Sequence, residues 1–277
     1  MNRRTIDVLL GMALGDAYLN VRTRLQSGKY PYISSSMRVL HSTKQQSYCE
    51  FKCVLVNALL DRRASVHIIR NGPGGRYEAA HFSVSHPCFK ELKEWLYPNG
   101  KKTISRAILD RLSPEGIALW YMDDGCARRN YNSRGEVSSV ATLLSTCCSN
   151  TEAELVCQWF KEMYSIAFKP FRDGRGWSVR TNTEGSRLFS LLVRQYVLQA
   201  MPEKLGHVAD LNSRQRFSPV GSCAQCGAFI FAKRRRGLCD CCYARRYYSE
   251  VVRRRRLSAI SAARPRNSPA ASCDLEC

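Results

Sequence analysis

A chain of 277 residues, 44% hydrophobic and 10% aromatic, can bury a sizeable core, which excludes a disordered or fibrous protein. Its 43 Lys and Arg against 23 Asp and Glu give a formal charge of +20, an excess that strains a compact state lacking a polyanionic partner. Charge alone does not choose among DNA, RNA and an anionic membrane, but no apolar run approaches the roughly 20 residues of a membrane span, so a membrane partner is not expected. The short apolar stretch from Val8 to Leu14 lies between Asp7 and Asp16, unlike a signal peptide. An intracellular location is therefore expected, where 14 cysteines signify thiols and metal ligands rather than disulfides. Arg outnumbers Lys, which suits bidentate contacts to phosphate and guanine. The same usage points to a bacterial or phage-infected cytoplasm over an organelle.

In chain order, helices are expected at 5–18, at 43–60, where apolar residues recur every three or four positions, and at 86–96. A Ser-Pro start opens another at 113–124, Thr151 with Glu154 suggests a capping box for 151–165, and 184–199 is the last. Alternating, β-rich stretches fall at 31–40, 64–70, 76–85, 136–146, 166–172 and 176–181, some separated by Gly-rich turns. The order is helix, two strands, helix, two strands, helix, and then much the same again from about residue 113. That duplication implies two similar half-domains, 1–105 and 106–217, of α+β class. Residues 218–248 form a separate Cys-rich, basic module, and 249–277 read as a basic, disordered tail.

Each half opens with an apolar helix that closes on an acid: LLGMALGDAYL at 9–19 and IALWYMDDGCA at 117–127. For either helix alone, a core helix with a chance terminal carboxylate is the alternative. Gly11 and Gly15, four residues apart, allow a second helix to approach closely. If the two helices pack together, Asp16 and Asp124 end side by side and repel one another unless divalent cations lie between them. Magnesium, which prefers few carboxylates plus water and phosphate oxygens, suits phosphodiester hydrolysis.

LLGMALGDAYL and ALWYMDDG resemble the paired signature helices of the LAGLIDADG homing endonucleases, in the single-chain, two-motif branch. HSTKQQSYCEFK (41–52), the block from Ser85 to Gly125 and AMPEKL (200–205) are similar to that branch as well, so the resemblance covers roughly residues 5–217. It implies two pseudo-symmetric αββαββα halves with antiparallel saddles over DNA, and Mg²⁺- or Mn²⁺-dependent cleavage of both strands. Asp16 and Asp124 match the metal-binding acids, and the carbonyls of Gly15 and Asp123 are further candidate ligands. Asp123 itself is either a helper ligand or a hydrogen-bonded structural residue. Lys102 and Lys204 match the basic residues that stabilise charge near the scissile phosphate. Where the second half of the family commonly has a Gln, this chain reads LLSTCCSN, leaving the outer polar shell of one site open at Cys147 or Cys148.

Outward strand positions should touch DNA, with Ser34, Ser36, Arg38, His67, Arg70, Arg76, Arg172, Arg175 and Arg180 as candidates; a one-residue slip reverses the face. Cys223-x2-Cys226 and Cys239-x2-Cys242 have the spacing of a four-cysteine zinc ribbon holding one structural Zn²⁺. Lys233, Arg234, Arg235 and Arg236 lie between the two pairs and make this an accessory DNA-binding element, or else the ribbon is structural. The expected activity is that of a monomeric, site-specific homing endonuclease spreading its host intron or gene. The alternative is an RNA maturase that assists splicing of its host intron RNA. No splicing-type Cys or His-Asn frames the chain, so an intein is not expected.

Overall fold

The first helix follows from its cap. In the computed structural model the Asn2 side chain accepts a hydrogen bond from the Thr5 amide at 2.8 Å and opens α1 (Arg3–Leu14). Every residue from Val8 to Leu14 is buried, as a helix apolar on all sides requires. Helix α1 stops where Gly15 leaves the helical region (φ −84°, ψ −130°), short of the expected 5–18 span. Asp16 therefore stands just beyond the helix. The structure describes residues 1–24, 32–71, 77–132, 134–173, 176–205, 220–227, 229–230, 237–238, 242–243, 246 and 250.

The first half continues through β1 (Tyr18–Arg24), β2 (Tyr32–Ser42), α2 (Gln46–Leu60), β3 (His67–Asn71), β4 (Tyr77–Ser85), α3 (Cys88–Leu96) and the single turn α4 (Arg106–Leu109). The second half repeats the pattern with α5 (Pro114–Asp124), β5 (Gly125–Tyr131), β6 (Val137–Cys148), α6 (Asn150–Tyr164), β7 (Phe168–Arg172), β8 (Trp177–Thr181) and α7 (Thr183–Ala200). Each half builds one four-stranded sheet, in the orders β1-β2-β4-β3 and β5-β6-β8-β7. The identical order makes the duplication explicit, and the fold is α+β as its pattern implies. Two strands escape the hydrophobic pattern. In β1, YLNVRTR has only two apolar residues at alternate positions, while β5 carries GCARRNY, poor in strand formers.

The Ser-Pro start of α5 is real: Ser113 accepts from the Glu115 amide and Pro114 occupies the first helical turn. The capping box of α6 lies two residues earlier than expected. Ser149, not Thr151, is the cap, and its partner is Glu152, whose carboxylate also receives the Ile104 amide at 2.7 Å.

Helices α1 and α5 touch backbone to backbone. A Cβ on Gly11 would sit 2.2 Å from the Gly116 carbonyl oxygen, and one on Gly15 would sit 2.2 Å from an Asp123 carboxylate oxygen. The helices also exchange carboxylates. Buried Asp7 of α1 accepts from the Ser113 amide at 2.7 Å and from its hydroxyl, at the start of α5. At the opposite end, Asp123 of α5 accepts from the Asp16 amide at 3.1 Å.

The chain divides into two compact units, residues 1–130 with 137–215, and residues 131–136 with 216–277. The first holds both four-stranded sheets and the helix pair. In the second, β9 (Gly221–Ser222) and β10 (Phe229–Ile230) pair as a short antiparallel ladder. Cys223, Ile230, Leu238 and Cys242 form its small core.

Gly11→Ala tests the helix contact, because the new methyl meets backbone that cannot swing aside. We expect a loss of about 3 kcal/mol or more in urea unfolding; an unchanged midpoint would refute the close approach.

Candidate active site

The two motif helices end in a cluster of acids. Asp16 follows α1 and is roughly half-exposed, whereas Asp124 is the last residue of α5 and is partly buried. Partial burial, followed by the charge of Asp123, raises the Asp16 carboxyl above its ordinary range. Burial, followed by the charge of Asp16, pushes Asp124 up to about 6. The charge of Asp16 raises the Asp124 pKa and that of Asp123 raises the Asp16 pKa, so the acids form a site short of positive charge.

Two lysines answer part of that deficit from pseudo-equivalent places. Lys102, before α4, donates to the carbonyls of Leu14 at 2.6 Å and Gly15 at 3.3 Å. Lys204, in a 3-10 turn after α7, donates to the Gly125 carbonyl at 2.6 Å and lies 3.5 Å from that of Tyr121. Each ammonium thus rests on the carbonyl end of a motif helix, where helix dipoles favour cations. Both lysines lower the pKa of both acids, and burial in turn lowers that of Lys204. The sequence-predicted set of Asp16, Gly15, Asp124, Asp123, Lys102 and Lys204 is therefore brought together.

The Asp123 side chain is already engaged. It is fully buried, and Lys52 of α2, itself fully buried, lies 2.5 Å from its Oδ1. Tyr48 donates its hydroxyl to the same oxygen at 3.0 Å, while Oδ2 accepts from the Asp16 amide. Lys52 also sits 3.1 Å from His41 Nε2 on β2. Burial, then the Lys52 charge, lowers the His41 pKa to about 4, so the ring is neutral at pH 7. An ammonium only donates, so Nε2 accepts and the proton lies on Nδ1, which faces Asp16 Oδ2 at 3.7 Å. Ligand atoms of Asp16, His41 and Asp123 lie within 4.8 Å of one another, but the Lys52 ammonium is the cation already seated against two of the three. Of the two roles open to the Asp123 side chain, the geometry favours the hydrogen-bonded one.

His41, Tyr48 and Lys52 were not singled out by sequence reasoning. A signal existed: Tyr48 and Lys52 are four apart, which puts a lysine on the buried face of α2. Among the described residues, the other half shows no such group. Aligned from their first residues, the fifteen-residue helices α2 and α6 place Val156 where Lys52 stands and Glu152 where Tyr48 stands. Cys148, at the end of β6, contacts the Thr146 hydroxyl and the carbonyls of Ser149 and Trp177; the Cys147 side chain lies outside the described residues.

Strand register sorts the DNA candidates. Ser34, Ser36 and Arg38 alternate with buried Ser35, Met37 and Val39, so they face outward. Arg38 pairs with Ser83, and His67 with His81, on the same face. Arg70 pairs with Glu78 and so belongs to the opposite face, with Ala80 and Phe82, a reversal of its expected side. Arg172 is likewise reversed: it pairs with Trp177, on the face of buried Val179. Arg180 faces outward beside Lys169 and lies over the Phe171 ring. Arg22, paired with Ser34, and Lys169 are outward basic positions that the sequence pattern did not single out. Arg76 and Arg175 lie outside the described residues.

In the second unit, the thiol sulfurs of Cys223, Cys226 and Cys242 lie within 4.8 Å of one another, and no disulfide joins them. Gly227, directly after Cys226, has φ +72°, a turn open to glycine that folds its amide back to the Cys223 carbonyl at 2.8 Å. Cys239, Lys233, Arg234, Arg235 and Arg236 lie outside the described residues.

Residues 6–189 match the LAGLIDADG DNA endonuclease family. The chain is 32% identical over 126 residues to the protein RecA of Mycolicibacterium chitae, and 30% identical over 121 residues to that of Mycobacterium gastri. These alignments take in 45% and 43% of this chain but only 26% of either relative, so the chain spans about a quarter of their length. Among solved structures, its fold is similar to that of the homing endonuclease I-WcaI bound to its DNA recognition sequence, with a TM-score of 0.57 and 18% identity. That likeness covers 74% of this chain and 86% of the other. The family match runs from the first motif helix through the second and into α7, and on that ground the chain belongs to the LAGLIDADG DNA endonuclease family.

Proposed function

We propose that this chain is a single-chain, two-motif homing endonuclease that cuts both strands of a long DNA target and so promotes the mobility of its host intron or gene. The observation that carries this reading is the cluster of partly buried acids with raised pKa values, Asp16 and Asp124, with a lysine beside each motif-helix end. Outward basic strand residues, including Arg22 and Arg38 in one half and Lys169 and Arg180 in the other, supply phosphate and base contacts.

The donor set fits a divalent cation: partly buried carboxylates held above their ordinary pKa, with main-chain carbonyls beside them. Asp16 and Asp124, with the carbonyls of Gly15 and Asp123, would hold Mg²⁺ or Mn²⁺. The ion supplies an activated water and charge neutralisation at the phosphate. Lys102 and Lys204 place fixed positive charge where the phosphodiester gains negative charge. In the second unit, three thiols at this separation suit a tetrahedral zinc with Zn–S bonds of about 2.3 Å, and the sequence spacing makes Cys239 the candidate fourth ligand. The basic module around it lengthens the DNA footprint through phosphate contacts.

Cleavage of the uninterrupted target locus in Mg²⁺ tests the assignment. Asp16→Asn and Asp124→Asn should each lower cutting by about a hundredfold or more while keeping DNA affinity. A wild type that cuts nothing, yet binds and promotes splicing of an intron transcript, would establish the maturase reading instead.

The raised carboxyls carry a stability signature as well. Because the folded pKa of Asp124 lies above its unfolded value, its favourable contribution is complete below about pH 4 and is lost by about pH 6 and above. Asp124→Asn should therefore stabilise the metal-free protein at pH 7.5, by up to about 3 kcal/mol, and by little at pH 4. Urea unfolding at both pH values in EDTA provides the check, and equal effects would contradict the electrostatic origin.

For the module, about one zinc per chain is expected by elemental analysis. Zinc removal or Cys226→Ser should weaken DNA affinity about tenfold at low salt, with a smaller effect on cleavage at saturation. Purified protein without zinc would sink this part of the proposal.

A further inference from the structure

Helix α1 leaves one amide out of its ladder at the point where the chain needs it most. Gly15 donates to the Gly11 carbonyl and Ala17 to that of Met12, both main-chain contacts. The Asp16 amide between them goes instead to Asp123 Oδ2 on the other helix. Asp124 is placed differently, because α5 runs through it and Gly125 caps the helix on the Tyr121 carbonyl. One acid thus takes its position from its own helix, and the other from a carboxylate reaching across.

That carboxylate depends on Lys52. Asp123 is fully buried, where an unpaired charge is costly, and Lys52 is the cation seated on it. The ammonium is enclosed by Asp123, His41 and the Tyr48 ring, whose centroid lies 4.6 Å away. The space for this arrangement exists because residue 15 is glycine: any side chain there would overlap Asp123.

We propose that Lys52 is a positioning residue: by holding the Asp123 side chain in place, it fixes the main chain at Asp16 and supports one half of the cleavage machinery only. The inference rests on the endonuclease reading for its catalytic consequence. Val156 occupies the corresponding place on α6, so among the described residues the half built on Asp124 shows no buried lysine equivalent to Lys52. The two strands of the target are then cut by sites with different structural backing. A small displacement of an acid in such a site is costly in rate, on the order of a hundredfold for about 1 Å.

The test uses the full-length protein and a target labelled differently on its two strands, under single-turnover conditions. Lys52→Met should slow one strand at least about tenfold more than the other, and the affected strand should be the one that Asp16→Asn slows more. Tyr48→Phe removes a single hydrogen bond to Asp123 and keeps the buried ion pair. It serves if Lys52→Met fails to fold, and should show the same strand bias at about threefold. DNA affinity in EDTA should stay within about twofold for both variants. In a spectrum of ¹⁵N-aspartate-labelled, metal-free protein, the Asp16 amide should shift in either variant. Equal slowing of both strands, or an unmoved Asp16 amide in a folded variant, overturns the proposal. If the wild type cuts neither strand, the endonuclease reading fails, while the amide shift still decides whether Lys52 positions Asp16.

Discussion

Everything in the larger unit hangs on two helices meeting at distances that only glycine permits. The Gly11–Gly116 contact brings the backbones of α1 and α5 together, with the motif acids near enough that the Asp16 charge acts on Asp124. Apolar burial drives such a contact but does not orient it, since dispersion and the hydrophobic effect have little directionality. Orientation comes from the exchanged carboxylates: Asp7 caps the start of α5, and Asp123 takes up the amide beyond α1. These charge-assisted bonds, one near each end of the pair, restrict sliding and rotation together. Each half then folds its strands in the same order after its motif helix.

The arrangement holds two acids where electrostatics disfavours them. Burial raises both Asp16 and Asp124, the charge of Asp123 adds to the first and that of Asp16 to the second, and Lys102 and Lys204 offset part of the repulsion. A fold tuned only for stability would replace one acid by an amide. Retaining both fits a functional site, since such sites commonly give up stability for function. The Lys52–Asp123 pair is of another kind. It is buried, closed and compensated, and it gives geometry rather than reactivity.

Much of this was legible in the residues. The duplicated element order, the paired acids and the glycine spacing of the first motif each had a physical meaning before any coordinates. So did Lys102 and Lys204, through their place in family-like blocks. What escaped was whatever depended on register or on contacts distant in sequence. Arg70 and Arg172 were assigned to the wrong face because strand parity turns on a single residue, and the bounds of β3 and β7 were not fixed by composition. Strands β1 and β5 were hidden because much of each lies along a polar face and lacks a strong apolar alternation. Lys52 closes the family-like block 41–52 but carries no role from the sequence; its meaning appears only when Asp123, 71 residues away, is placed against it. The cap of α6 was misplaced by two residues because Ser149 and Thr151 offer the same chemistry and both have Glu three positions on.

The glycine at position 15 has a consequence for how such a chain can change. The two halves descend from one pattern, yet they are no longer interchangeable. A chain built from two copies of the first half would present glycine where Asp123 must be, leaving Lys52 buried without its counter-charge. Two copies of the second half would set aspartate against aspartate in a space that holds one. The halves differ as a left and a right, and a recombined chain keeps this contact only if it inherits Gly15, Tyr48, Lys52 and Asp123 as a set.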